Sequence, residues 1–238
     1  MKNLLLLKKS VGDALQAEMA FLQSQIKPHF LFNALNAILS ICYTDSARAA
    51  ELIGHFSRYL RRSFDIRGTE TFVRLEDELE LVQAYAEIEK ARFGSRLTVE
   101  YEIGEGLDGL AIPPLPIQPL VENAIRHGLM RKEEGGRVRI TVREQAGRVT
   151  VKVWDNGVGL PARPSRLLSG QADEAGEAGL PHESRRGVGL PNIDRRLKKL
   201  YGEGLRLESQ KGGWTRVSFG FAREQPSQQV NAGRDSAC

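Results

Sequence analysis

The sequence predicts an α + α/β protein, with an all-helical N-terminal region running to about residue 93 and an α/β sandwich after it. Three observations carry this. Apolar residues recur at helical spacing from Leu15 to Phe93, strand-like alternation replaces that period beyond Phe93, and two amphipathic helical stretches interrupt the alternating segments.

The first helix is marked by Leu15, Met19, Leu22 and Ile26 and runs into QIKPHFLFNALN, Gln25 to Asn36. Pro28 removes a backbone donor there and predicts a bend just before His29. On a helix, His29, Asn33, Asn36 and Ser40 share one narrow strip, and Leu31, Leu35, Ile38 and Cys42 line the opposite side. After a turn at YTDS, Ala49, Ile53, Phe56, Leu60 and Phe64 predict a second helix, antiparallel to the first because the connection is short. GTETFVR breaks the period, and Leu75, Leu79, Val82, Ala86 and Phe93 define a third helix that Gly94 closes.

Beyond it RLTVEYEI, GRVRITVRE, GRVTVKVWD, LRLESQ and WTRVSFGF alternate as strands, with LPIQPLVENAIRHGLM and LPNIDRRLKKLYG as helices between them. The expected organisation is a helical region over 1–93, a sandwich domain over 94–223 and a disordered tail over 224–238, which lacks apolar content. The 27 residues between Gly159 and Gly187 are long, polar and rich in Gly, Ala and Pro, which predicts a mobile lid rather than a passive connection.

Composition narrows the function classes. A chain with 41% hydrophobic and 27% charged residues is ordinary globular material, and a net charge of +4 spread among 30 acidic residues suits anionic ligands without calling for nucleic acid. Cys42 and Cys238 form neither a metal spacing nor a disulfide framework, which fits a reducing, cytoplasmic setting. MKNLLLLKKS is too short for a signal core or a membrane span, so no anchor is expected from it.

Three short segments carry chemistry. In WDNGVG, Asp155 ends a strand with a carboxylate able to accept from an exocyclic amine, and Gly157 and Gly159 permit close backbone approach; alone, this pattern fits a hairpin turn equally well. In RRGVGLPNI, Gly187 and Gly189 open a helix, where free N–H groups and the helix dipole favour a phosphate, without the Walker spacing. In PLVENAIRHG, the Asn123 amide oxygen could complete an Mg²⁺ shell made otherwise of phosphate and water, and Glu122 could order such a water or take up a proton.

QPLVENAIRHG, WDNGVG and GVGLPNIDRRL together resemble the N, G1 and G2 boxes of the Bergerat-type ATPase fold shared by gyrase, the Hsp90 chaperones, histidine kinases and the MutL proteins. LQSQIKPHFLFNALN and RLEDELELVQAYAEIEKARFG narrow the resemblance to LytS-type sensor histidine kinases, over about Met19 to Phe221. The resemblance implies that His29 is the phosphoacceptor, that Asn123 binds Mg²⁺ beside Glu122, and that Asp155 receives the adenine amine with support from Thr215. It further implies that Gly157, Gly159, Gly187, Gly189 and Leu190 shape an ATP pocket and its lid hinges, that His127 borders that pocket, and that Asn192 and Arg196 fit the G2 pattern. The implied partners are a second copy of the chain and a cognate response regulator, with the LytTR type as one candidate. The family places a sensor upstream, so membrane association is expected only through such a region, and this chain is either a natural short form or a catalytic fragment.

A neutral imidazole is a competent nucleophile, so His29 needs positioning more than activation. Phe30 follows it where many histidine kinases carry an acid, which leaves Glu122 or His127 as candidate bases. Asn33, one turn along the same strip, could orient the ring or hold a water. Two rival functions share the nucleotide boxes: an ATP-driven conformational module without autokinase activity, and a serine kinase of the anti-sigma type. Neither gives a reason for KPHFLFN.

Overall fold

The computed structural model describes residues 28–65, 72–107, 109–130, 132–160 and 189–223. The expected helix before Pro28, the lid, Gly187 and the tail lie outside the described residues. The chain divides into two compact units, one holding the described residues 28–65 and 80–95, the other 72–79 and 96–223. No helix among the described residues is long and apolar enough to cross a membrane.

In the first unit α1 (Pro28–Cys42) and α2 (Ser46–Asp65) form a hairpin. The turn between them is tight: the Thr44 and Asp45 N–H groups both donate to the Ile41 carbonyl, and Asp45 caps α2 by accepting from the Arg48 N–H at 2.9 Å. Phe30, Ala34 and Ile38 of α1 bury against a core that includes Ala49, Leu52 and Tyr59 of α2 and Leu81, Val82, Tyr85 and Ile88 from the next helix. The buried face is therefore rotated from the expected one. Leu35 is 46% exposed, Cys42 is exposed, and Ile53 on α2 is 53% exposed. The cause is that α1 is apolar around most of its circumference, and one hairpin covers only one side of it.

The next helix, α3 (Leu75–Phe93), has Glu76, Asp77 and Glu78 in its first turn and Lys90 and Arg92 in its last, charges that suit the helix dipole at both ends. Its first five residues belong to the second unit and the remainder to the first. A two-residue strand precedes it, β1 (Val73–Arg74), which pairs antiparallel with β3 (Ala111–Ile112).

The second unit is built on a sheet in the order β2-β4-β5-β7-β6. Its strands, β2 (Leu97–Ile103), β4 (Gly136–Gln145), β5 (Arg148–Asp155), β6 (Arg206–Gln210) and β7 (Trp214–Ala222), occupy the five segments that alternate in the sequence. β2 runs parallel to β4 and the other pairs are antiparallel. Val138, Ile140 and Val142, Val149, Val151 and Val153, and Val217, Phe219 and Phe221 are buried on one face. Two helical segments supply the apolar layer opposite: Leu120, Val121 and Ile125 from α4 (Gln118–Asn123) and its π-helical continuation Ala124–Leu129, and Ile193 and Leu197 from α5 (Gly189–Tyr201). The other face carries ion pairs, such as Arg139 with Glu100 at 2.9 Å and Arg137 with Glu100 at 3.0 Å. This is the expected sandwich of one sheet and one helical layer.

Candidate functional site

In the helical unit, His29 is exposed at the second residue of α1, and Phe30 beside it is 7% exposed. The Phe30 ring centroid lies 4.8 Å from that of Tyr59 and 5.1 Å from that of Tyr85. This aromatic anchor occupies the place an acid would take and fixes the helix end while leaving the imidazole in solvent. Asn33 Nδ2 is 3.1 Å from His29 Nδ1 and 3.3 Å from Nε2. The amide thus stands close to both ring nitrogens, and which of them it serves depends on the tautomer of the ring. Turned over, the same amide offers its oxygen to the ring N–H, and the other nitrogen keeps a free lone pair.

In the sheet unit, Asp155 ends β5 with its side chain only 4% exposed. Its hydrogen-bond partner among the described residues is the Gly157 N–H, which donates to Oδ1 at 3.0 Å. Burial pushes the carboxyl up to about 6, and that one N–H offsets it only in part. A buried carboxylate so sparsely satisfied has an acceptor to offer a ligand. The loop beyond it folds onto the π-helical turn: a Cβ at Gly157 would overlap the Gly128 carbonyl, and one at Gly128 would come within 2.5 Å of Asp155 Oδ1. The Val158 N–H donates to the Gly128 carbonyl at 3.1 Å and seals the contact. Gly159 takes φ 66°, a conformation open to glycine at little cost, with Gln210 against its Cα.

Thr215 stands directly opposite Asp155 in the β5–β7 register. Its hydroxyl is 3.2 Å from Ser209 Oγ, which also donates to the Trp214 carbonyl and accepts from the Leu160 N–H. Glu122 and Asn123 are half-buried at the end of α4, and His127 is exposed on the π-helical turn. That turn widens the helix where Gly128 must meet Asp155, a common use of π geometry. Gly189 starts α5, and Leu190 is half-buried in its first turn.

Sequence reasoning missed Gly128 and Ser209, because their roles are contacts between distant segments. It also missed Asn156, whose Oδ1 accepts from the Arg137 N–H at 2.6 Å while its carbonyl accepts from Lys132 at 3.2 Å. The signal available for it was its place inside WDNGVG. Among the described residues no cluster of three or more His, Cys, Asp or Glu could hold a metal ion.

Residues 17–97 match the histidine kinase family, and residues 116–225 match the family of histidine kinase-, DNA gyrase B- and HSP90-like ATPases. The chain is 42% identical to YwpD, an uncharacterized protein of Bacillus subtilis (strain 168), over 92% of its own length and 74% of that protein. It is 42% identical to the sensor histidine kinase YpdA of Escherichia coli (strain K12) over 86% of this chain and 34% of that one. With the sensor protein LytS of Enterococcus faecalis (strain ATCC 700802 / V583) it shares 36% identity over 88% of this chain and 35% of the relative. It thus spans about a third of those two sensor kinases and most of YwpD. With its N-terminal helices and its ATPase sheet both matched in order, the chain belongs to the histidine kinases and is similar to the LytS sensor proteins.

Proposed function

We propose that this chain binds ATP with Mg²⁺ in the sheet unit, phosphorylates His29, and passes the phosphoryl group to an aspartate of a response regulator. The observation that carries the reading is the exposed imidazole of His29 beside the Asn33 amide, within the segment that matches the histidine kinase family. A purely conformational ATPase has no use for that pair.

Asp155 accepts the adenine amine, with Thr215 across the strand pair. Gly157 and Gly128 bring two backbone segments together to form one wall of the pocket. Asn123 would hold the metal, which neutralises phosphate charge when bound, and Glu122 would order its water or serve as base; His127 is the other candidate base. Gly159, Gly189 and Leu190 shape the rest of the pocket. In the transfer, a lone pair of the His29 ring forms the N–P bond as the bond from the γ-phosphorus to the bridging oxygen breaks and ADP leaves. Asn33 sets the tautomer that exposes that lone pair.

Catalytic work of this kind is mostly placement. The full chain, incubated with γ-labelled ATP and Mg²⁺, should take up label that survives alkali and is lost in acid, as phosphohistidine does. Label stable to acid and lost in alkali would mark a serine kinase instead, and no label with intact ATP binding would favour the conformational module. The partners proposed are a second copy, through the exposed apolar side of α1, and a response regulator, with the LytTR type as one candidate.

A further inference from the structure

Glu78 is an acid in the first turn of α3 with no exposed surface at all. Its Oε1 accepts the N–H groups of Ile117 at 3.0 Å and Gln118 at 2.9 Å, and its Oε2 accepts that of Leu115 at 3.0 Å. These are the donors that the start of α4 leaves open. The N-cap residue is Ile117, which has no side chain able to cap; Pro119 has no N–H, and Leu120 and Val121 already donate to the Ile117 carbonyl. A serine at position 117 would cap this helix locally without burying a charge under the fold. Instead the cap comes from a separate helix.

Two further features bind the arrangement together. Leu115 sits at φ 55°, an unfavourable conformation for leucine, and its N–H is held there by Glu78. Around the carboxylate, β1 pairs with β3 and the Leu75 N–H donates to the Leu110 carbonyl at 2.7 Å, so the start of α3 is stitched to the segment that leads into α4. From α5, Arg196 adds a positive charge that acts on Glu78, and its own Nε is buried without a hydrogen-bond partner among the described residues.

We propose that Glu78 is a positioning residue for the nucleotide site, its carboxylate capping α4 from outside and setting where Glu122 and Asn123 stand. α4 is six residues long, so a displacement at Gln118 is carried to Asn123 at its other end. The adenine end of the pocket is anchored in the sheet, where the β5–β7 register holds Asp155 opposite Thr215 without recourse to this cap. The inference rests on the reading that Asn123 serves a metal and phosphates.

The test separates the two ends of the pocket. For the full chain with Glu78→Gln, calorimetry should give an adenosine affinity close to the parent's, while ATP affinity in the presence of Mg²⁺ falls about tenfold and the Mg²⁺ concentration at half effect rises. A role in stability alone would lower the melting temperature and leave the ratio of the two affinities as in the parent, which would overturn the proposal. If Glu78→Gln leaves no folded fraction, Glu78→Asp, which keeps the charge on a shorter stem, is read the same way. Hydrogen exchange on the parent needs no variant: the Leu115, Ile117 and Gln118 amides should be strongly protected, and exchange at open-loop rates would overturn the cap itself. A parent chain that binds no ATP with Mg²⁺ overturns the nucleotide-site reading as well; a parent that binds it, with an unchanged ratio in the variant, overturns only the role of Glu78.

Discussion

At the scale of single residues, His29 and Asn33 form a pair whose chemistry depends on which way one amide faces. With its oxygen toward the ring, Asn33 selects the tautomer that leaves a nucleophilic lone pair; alanine can do neither this nor the reverse. Asn33→Ala should slow phosphohistidine formation about tenfold, roughly 1.4 kcal/mol in the barrier, with ATP affinity unchanged. Asn33→Asp, which still accepts from the ring N–H, should retain most of the rate. Single-turnover labelling of both variants checks this, and equal rates in parent and alanine variant would remove Asn33 from the mechanism. Asp155 sets a second expectation. Its carboxyl is raised to about 6, mainly by burial, so the native chain holds this proton more tightly than the unfolded chain does. Stability is therefore lost as pH rises from about 4 through 6 and is flat above that window. Nucleotide affinity runs the other way, because the ionised form is the acceptor: it should fall roughly tenfold between pH 7 and pH 5. Calorimetry across that range should show the slope in the parent and a flat, weaker profile in Asp155→Asn, whose neutral amide costs about 1.5 to 3 kcal/mol of binding. A parent profile without slope would take the adenine contact away from Asp155.

At the scale of elements, α1 is the informative one. Phe32, Leu35, Leu39 and Tyr43 are exposed to 67%, 46%, 58% and 93%, at the three- and four-residue spacing of one helix face. A second copy applied to this stripe would complete a four-helix bundle. The double variant Leu35→Lys, Leu39→Lys should sediment as a monomer that keeps its helix content, where the parent sediments as a dimer; a parent that is monomeric at micromolar concentration would contradict this. The same helix shows how far a sequence can be read. Its period was plain, yet which apolar side faces inward was not, because Phe32, Leu35 and Leu39 are as apolar as Phe30, Ala34 and Ile38 and only the neighbouring helices choose between the two sets. The strands were legible because alternation is local: each Val of β5 faces the core two residues after the last. β1 and β3 were not, being two residues each and too short to show any period. Nor was the π-helical turn, whose apolar pattern differs little from an α-helix over six residues. Within the candidate site, His29 and Asp155 stood out by motif, whereas Glu78 looked like the dipole-matching acids Glu76 and Asp77 beside it. Its burial and its three backbone donors arise from contacts with residues 37 to 40 positions away.

At the scale of the whole molecule, the exposed histidine on α1 and the sheet that matches the ATPase family lie in separate compact units. That separation makes them independently removable. In the Asp155→Asn chain the acceptor is intact and nucleotide binding is weakened; in the His29→Gln chain the pocket is intact and the acceptor is gone. In the proposed transfer His29 receives the γ-phosphoryl group. Its most direct test is the stoichiometry of label incorporated from γ-labelled ATP with Mg²⁺ by purified His29→Gln, beside calorimetric ATP affinity on the same preparation. Parental affinity with no acid-labile label is expected; acid-labile label at the parent's stoichiometry would remove His29 as the acceptor.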